Sequence, residues 1–369
     1  MNISFQKLFY AIATVLALFA VLILAKSILI PLGFALLVSF MLYPVVRKFE
    51  SWGMNSIVAT SLAFCVVILI ISGGIFLFST QIIGLSAEFS NFKDKIILAF
   101  TDVTVYINKN INFVPELGKD ELFDRIKTWF SESSGSLVSQ TFSSSAIFFA
   151  GLGATALYTF LFLIYRKGLI RALTAFAKED KKDRVINMFR SVQQVGQKYL
   201  FGMVILIIVI GLANSFGLML IGIDNPFLFG FLGAVLAIIP YVGTIVGAII
   251  PILYAFISFD SLWMPLAVAG LFWFVQLLSD NLLSPKIVGS NININALTAV
   301  LSLIVGAAVW GVAGMILFLP FAAMLKIVCE EYEELKPIAQ LIGSENYHEK
   351  GNKNKFVHKW LDKIKSWLP

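Results

Sequence analysis

Residues 226–257, PFLFGFLGAVLAIIPYVGTIVGAIIPILYAFI, decide the fold: they are apolar throughout, carry no charge, and are interrupted by Pro240, Gly243, Gly247 and Pro251. As one straight helix, 32 residues would reach about 48 Å at about 1.5 Å per residue, well beyond a hydrocarbon core of about 30 Å. One plain spanning helix is therefore not expected. Proline inside a helix removes a backbone donor and clashes with the preceding turn, so Pro240 is predicted to divide the stretch into halves of about a dozen and about seventeen residues. Broken helices at membrane depth are tolerated where protein or a water-filled cavity satisfies the freed carbonyls, and in transporters that is where substrate commonly binds.

The composition agrees with a membrane setting. Of the 369 residues 59% are hydrophobic and 14% charged, with a mean hydropathy of +0.87, far outside the balance of a soluble domain. An all-α polytopic membrane protein is expected. Lys and Arg outnumber Asp and Glu 28 to 22, but in such a chain the placement of basic residues in short loops matters more than their sum. Nucleic-acid binding is not expected. Cys65 and Cys329 lie far apart in or beside apolar runs, which suggests neither a disulfide framework nor a CxxC metal site. His348 and His358 sit in a polar tail without a partner motif. No metal and no cofactor are expected.

Residues 1–83 hold the N-terminal spans. Lys7 precedes an apolar run at 8–25, and only Lys26 and Ser27 separate it from a second at 28–46. The pair reads as a tight hairpin or as one long bent helix. Cleavage of the first run as a signal peptide would start the mature chain inside the second, so an uncleaved span fits better. Arg47, Lys48 and Trp52 follow, the arrangement of a cytoplasmic interface, and counting back two crossings puts the N-terminus in the cytoplasm as well. A third span occupies 57–83.

Residues 84–145 leave the membrane as a small helical insertion. Leu85, Phe89, Phe92, Ile96, Phe100, Val103 and Ile107 recur at spacings of three and four, an amphipathic pattern, and a second one begins at Leu122. Six basic against eight acidic residues suit an external location, and a serine-rich connection at 131–145 closes the segment. A fourth span fills 146–165. Residues 166–198 carry nine basic and three acidic residues, which places this helical segment in the cytoplasm.

Residues 199–328 form the expected transport core: a fifth span at 200–221, a turn at Asp224, Asn225 and Pro226, the stretch quoted above, an aqueous edge at Asp260 and an apolar run at 262–279. A second overlong apolar stretch, 296–328, is broken by Gly306, Gly311, Gly314 and Pro320. It echoes the first and suggests a structural repeat. The tail, 329–369, is read as cytoplasmic. It ends in KFVHKWLDKIKSWLP, where Val357, Trp360, Leu361, Ile364, Trp367 and Leu368 share one helical face opposite four lysines. Such a helix suits the inner-leaflet interface or a subunit contact.

Two topologies satisfy the charge bias. Eight spans result if each long stretch crosses once; six spans plus two re-entrant helical hairpins, entering from opposite faces, result if each turns back. Both leave the C-terminus in the cytoplasm. They differ in the side on which the loop at 280–295 lies.

No HExxH, GxSxG or P-loop is present, and no histidine falls within the apolar runs, so an enzyme is not expected. Transport turns on the polar groups between apolar runs, because an ionisable residue at membrane depth is costly and tends to line a pathway. Asp280 is the candidate acid, with Gln276, Ser279, Asn281 and Ser284 near it in sequence; capping a helix is its alternative role. Lys286, bracketed by Pro285 and Gly289 in a sharp connection, either pairs with Asp280, holds an anionic group or snorkels to the surface. Gly243, Gly247, Gly311 and Gly314 serve close helix packing or expose half-helix ends.

With these residues in hand the chain resembles the AI-2E family of bacterial transporters, also called PerM-like permeases. The resemblance is carried by YLFG (199–202), LIGIDNP (220–226), IIPYVGTIVGAIIP (238–251), SDNLLSPKIVG (279–289) and VGAAVWGVAGMILFLPFAAMLK (305–326), and extends over 1–330 by span layout. It implies a multi-pass inner-membrane secondary carrier that exports autoinducer-2 in some members and exchanges sodium or lithium for protons in others. It also implies a homo-oligomer, a pentamer among the forms, with the broken hairpins as the moving unit. A membrane scaffold using 84–145 and the tail helix for partners is the non-transport alternative. The chain departs from the family's pattern where an acidic residue often precedes IPYVG and here stand Ala237 and Ile238. Met203 replaces a frequent glutamine, and Asn295 and Ala296 replace a common His-Pro.

Overall fold

The computed structural model describes residues 5–76, 78–79, 148–259, 261, 263–289 and 293–343. The expected insertion at 84–145, Asp260 and the amphipathic tail helix lie outside the described residues. Among the described residues every named element is helical, and six helices are long and apolar enough to cross a bilayer. The chain is an all-α polytopic membrane protein.

Helices α1 (Phe5–Leu24) and α2 (Lys26–Ser51) come first. The Ala25 N–H donates to the Val21 carbonyl at 2.9 Å and the Leu29 N–H donates to the Ala25 carbonyl at 2.9 Å, so the helical ladder runs through the junction. The pair is one bent helix and not a hairpin, and the chain does not reverse before Arg47. Phe9, Tyr10, Val15 and Leu18, which together point to all sides of α1, are exposed, the pattern of a helix surrounded by lipid.

Helices α3 (Ser56–Phe76) and α4 (Phe148–Ala175) pack with α2 around Leu42, Val46, Ala59, Ala63 and Leu163. Arg166 of α4 clamps neighbouring ends of all three. It pairs with Glu50, donates to Ser56 Oγ at 3.3 Å and to the Leu163 carbonyl at 2.6 Å, and lies over the Tyr43 ring at 5.6 Å.

Helix α5 (Lys182–Ile221) has 40 residues, about 60 Å of helix. The basic segment from Lys182 onward and the fifth span are therefore continuous. Against it pack α6 (Pro226–Leu236), α8 (Trp263–Val288) and α10 (Val312–Glu331), while α7 (Val242–Ser258) lies on α6 and α8, and α9 (Ala296–Trp310) and the short α11 (Lys336–Ile342) lie on α10.

Both overlong stretches fold back on themselves. In the first, α6 has 11 residues and α7 has 17, about 16 and 25 Å, each short of a hydrocarbon core of about 30 Å. The break falls at 237–241, where Pro240 sits and the Val242 N–H donates to the Pro240 carbonyl at 2.7 Å across Tyr241, whose φ is +63°. In the second, α9 gives way to α10 at Gly311, with φ +59°.

The two hairpins are sewn alike. A Cβ on Gly247 would lie 2.9 Å from the Gly233 Cα, and one on Gly314 only 1.9 Å from the Gly306 carbonyl oxygen, so backbone touches backbone in each. Gly243 belongs to the same seam, since a Cβ there would lie 1.7 Å from the Leu236 carbonyl. Pro251 and Pro320 differ from their sequence reading. Each is fully buried inside a continuous helix and breaks nothing. The carbonyl that Pro320 frees four residues back, that of Ile316, receives the Tyr199 hydroxyl at 3.5 Å.

The hairpins approach α5 from opposite ends. Gly230 lies against Ser215 and Phe231 against Gly211, so the first enters from the Ile221 end. Arg184 pairs with Glu331, Gly196 lies against Met324 and Tyr199 reaches Ile316, so the second enters from the Lys182 end. This is the arrangement of the hairpin topology. At its base, Asn295 caps α9 by accepting from the Thr298 N–H at 2.7 Å, and its Nδ2 donates to the Leu341 and Gly343 carbonyls at 2.6 and 3.1 Å. Helix α11 is thereby fastened to the start of α9.

Candidate transport site between the first hairpin and α8

The segment SDNLLSPKIVG does not form a loop. Helix α8 continues through it with widened turns at Ser279–Leu283 and Pro285–Gly289, and the Ser284 N–H donates five residues back to the Ser279 carbonyl. The physical reason is Pro285, which cannot complete the ordinary ladder to Asn281; the extra residue per turn absorbs its ring without ending the helix. Widened turns of this kind re-aim side chains and often mark functional positions.

They open Asp280 and Ser284 into a cavity of about 90 Å³. Gln276, Ser279, Asp280 and Ser284 of α8 form its polar wall. Met203, Leu206, Ile207 and Ile210 of α5 and Ala234, Ala237 and Ile238 at the tip of the first hairpin form the apolar one. Gln276 Nε2 donates to Asp280 Oδ1 at 2.8 Å, one turn along the helix, and so holds the carboxylate with a neutral donor. Ser279 is buried whereas Asp280 is exposed. Counted from Ile221 at about 1.5 Å per residue, residues 210 to 203 lie about 16–27 Å along α5, under the hairpin tip and from the middle of a layer of about 30 Å toward its far side.

Of the other residues singled out from the sequence, Asn281 turns its Nδ2 to the Leu277 carbonyl at 2.8 Å, away from the cavity wall. Pro285 and Lys286 are exposed on the second widened turn, which packs through Ile287 and Val288 on Gly202 of α5. Pro240 lies in the hairpin break, two residues from the cavity-lining Ile238. Gly306, Gly311 and Gly314 belong to the second hairpin and do not line this cavity.

Sequence reasoning found the polar wall because polar residues stand out in an apolar run. The apolar wall carries no such mark. Met203, Ala237 and Ile238, singled out from the sequence by the resemblance, belong to it, whereas Asn295 and Ala296, singled out with them, lie at the base of the second hairpin. Among the lining residues Asp280 is the sole titratable group.

Residues 12–334 match the profile described as AI-2E family transporter. The chain belongs to that family. YhhT of Escherichia coli K12 is 23% identical over 90% of this chain and 93% of its own length. The AI-2 transport protein TqsA of the same organism is 22% identical over 87% of this chain and 91% of its own. YrrI of Bacillus subtilis 168 is 29% identical over 35% of this chain and 36% of its own length, so the chain spans little more than a third of that relative. The family match and the six span-length helices together describe a multi-pass membrane protein of the AI-2E transporter family.

Proposed function

We propose that the chain is a secondary transporter of a small polar organic solute of the autoinducer-2 type, and that the solute passes through the cavity between the first hairpin and α8. One observation carries this reading. Four polar side chains of α8, one of them an acid, face an otherwise apolar cavity at the tip of a broken helix, at a depth where each is costly unless used. An apolar wall opposite a short polar one suits a compact solute with one face to be hydrogen-bonded. The relationship to TqsA supports the substrate class.

Alternating access follows from the hairpins. Helices α2, α3 and α4, locked by Arg166, serve as the fixed scaffold, and the two hairpins move against it, the first also shifting relative to α8. The protein resides in the inner membrane as a homo-oligomer with its C-terminus in the cytoplasm, on the side of the basic 166–198 segment. Because α1 and α2 do not reverse, the N-terminus is assigned to the opposite face.

A second reading, exchange of a monovalent cation for a proton, is favoured by the Asp280–Gln276 pair and by the cavity's size. Its volume of about 90 Å³ is that of about three waters in the liquid. Proteoliposomes discriminate. Efflux of autoinducer-2 by the wild type, lost in Asp280→Asn, supports the leading reading. Proton flux driven by a sodium or lithium gradient and lost in the same variant supports the second. Neither flux from folded protein contradicts both.

A further inference from the structure

Asn214 is 3% exposed, and its side-chain carbonyl oxygen has no hydrogen-bond partner among the described residues. A buried amide oxygen left unpaired is costly, and most native ones find a donor. No part of the cavity described above uses it. Its place on α5 is informative: Met203, Ile207 and Ile210, all cavity-lining, lie eleven, seven and four residues before it, on the same helical face. Asn214 therefore continues the cavity stripe by one turn, toward the Ile221 end.

That turn lies in the seam where α5, α6 and α8 meet. On the cavity side of Asn214, Ile210 packs with Ala234 and Val275. On the other side Leu218, fully buried, packs with Phe229, Val268 and Phe272. Beyond this apolar plug the Tyr254 hydroxyl donates to Asp224 Oδ2 at 3.4 Å at the outer end of the bundle. We infer that the α5–α6–α8 seam is the exit route from the cavity. Asn214 is the polar station on it, and the plug of Leu218, Phe229, Val268 and Phe272 is its gate. The station takes a hydrogen-bond donor or a small cation, because what it offers is a bare carbonyl oxygen. This inference rests on the transport reading of the cavity but commits to a path that the reading leaves open.

Thiol accessibility tests it without a known substrate. In a background with Cys65 and Cys329 replaced by serine, single variants Asn214→Cys, Leu218→Cys, Asp280→Cys and Ile208→Cys are exposed in membranes to a small cationic methanethiosulfonate. Ile208 is 46% exposed on the outside of α5 and reports a lipid-facing thiol. Reaction requires water and the thiolate, so Asn214→Cys and Leu218→Cys are expected to react at least about 10-fold faster than Ile208→Cys, and faster still when Phe272→Ala is added. Reaction of Asp280→Cys with neither seam variant reacting overturns the seam and leaves the cavity reading intact. Failure of Asp280→Cys to react as well counts against the cavity itself. Should Asn214→Cys not insert, Leu218→Cys carries the same decision one turn further along the route.

Discussion

At Gly314 the contact is the absence of a side chain. A methyl group there would meet the Gly306 carbonyl at 1.9 Å, and neither partner is a flexible side chain that can step aside. Gly314→Ala is expected to cost about 1–3 kcal/mol, as overpacking does, and to lower the thermal unfolding midpoint in detergent. Gly270→Ala, in open space on α8, is expected to be neutral or to stabilise by up to about 1 kcal/mol. Equal destabilisation by both would count against the backbone seam. The sequence displays each glycine but not what lies opposite it, which is why Gly306, Gly311 and Gly314 could be named from the sequence while Gly233, the partner of Gly247, could not. The same limit governs the site. Gln276 and Asp280 are legible as polar residues in an apolar run, whereas Met203 and Ile210 become wall residues only once α5 is laid beside the hairpin tip. Gln276→Ala removes the donor that holds Asp280, so its transport is expected to fall between that of the wild type and that of Asp280→Asn in the flux assay.

Among the elements, the unbroken junction of α1 and α2 has the clearest consequence. A helix that bends without reversing and is apolar on all sides crosses the bilayer with its two ends on opposite faces. A reporter fused at the N-terminus is expected on the face opposite one inserted beside Arg47; both on one face would show that α1 turns back. Lys26 and Ser27 carry no turn signal strong enough to force a reversal, so the sequence alone leaves hairpin and bend equally open. The scaffold makes a second prediction. Removing Arg166 leaves Glu50 poorly compensated, and Arg166→Leu is expected to destabilise on the order of 3 kcal/mol. Arg166→Lys recovers only part of this, because it keeps the charge but loses the planar fork that reaches Glu50, Ser56 and Leu163 together. Unfolding curves of the two variants in detergent decide it, with equal midpoints as the contrary result. The widened turns of α8 belong to this scale too: Pro285 predicts a disturbance, but not that widened turns absorb it and that Ile287 and Val288 pack on Gly202 where a loop was expected.

For the whole molecule the central claim is that two hairpins approach α5 from opposite ends, and that the first must move relative to α8 for solute to pass. Its break has a positive-φ residue, Tyr241, and a tight hydrogen bond across it, and strain at such positions is retained where the surroundings over-determine it. The two apolar stretches were recognisable as over-length and interrupted, which carried the hairpin alternative; the opposed direction of the hairpins rests on contacts such as Arg184 with Glu331 and Ser215 with Gly230, between residues far apart in the chain. The most direct measurement is solute flux with the hairpin tethered. In the cysteine-free background, Ile238→Cys and Ser284→Cys are introduced together on facing walls of the cavity, and autoinducer-2 efflux from proteoliposomes is followed before cross-linking, after it and after reduction. Flux lost on cross-linking and restored by reduction is the predicted result. Flux undiminished with the tether in place would contradict both the path through this cavity and the movement that opens it.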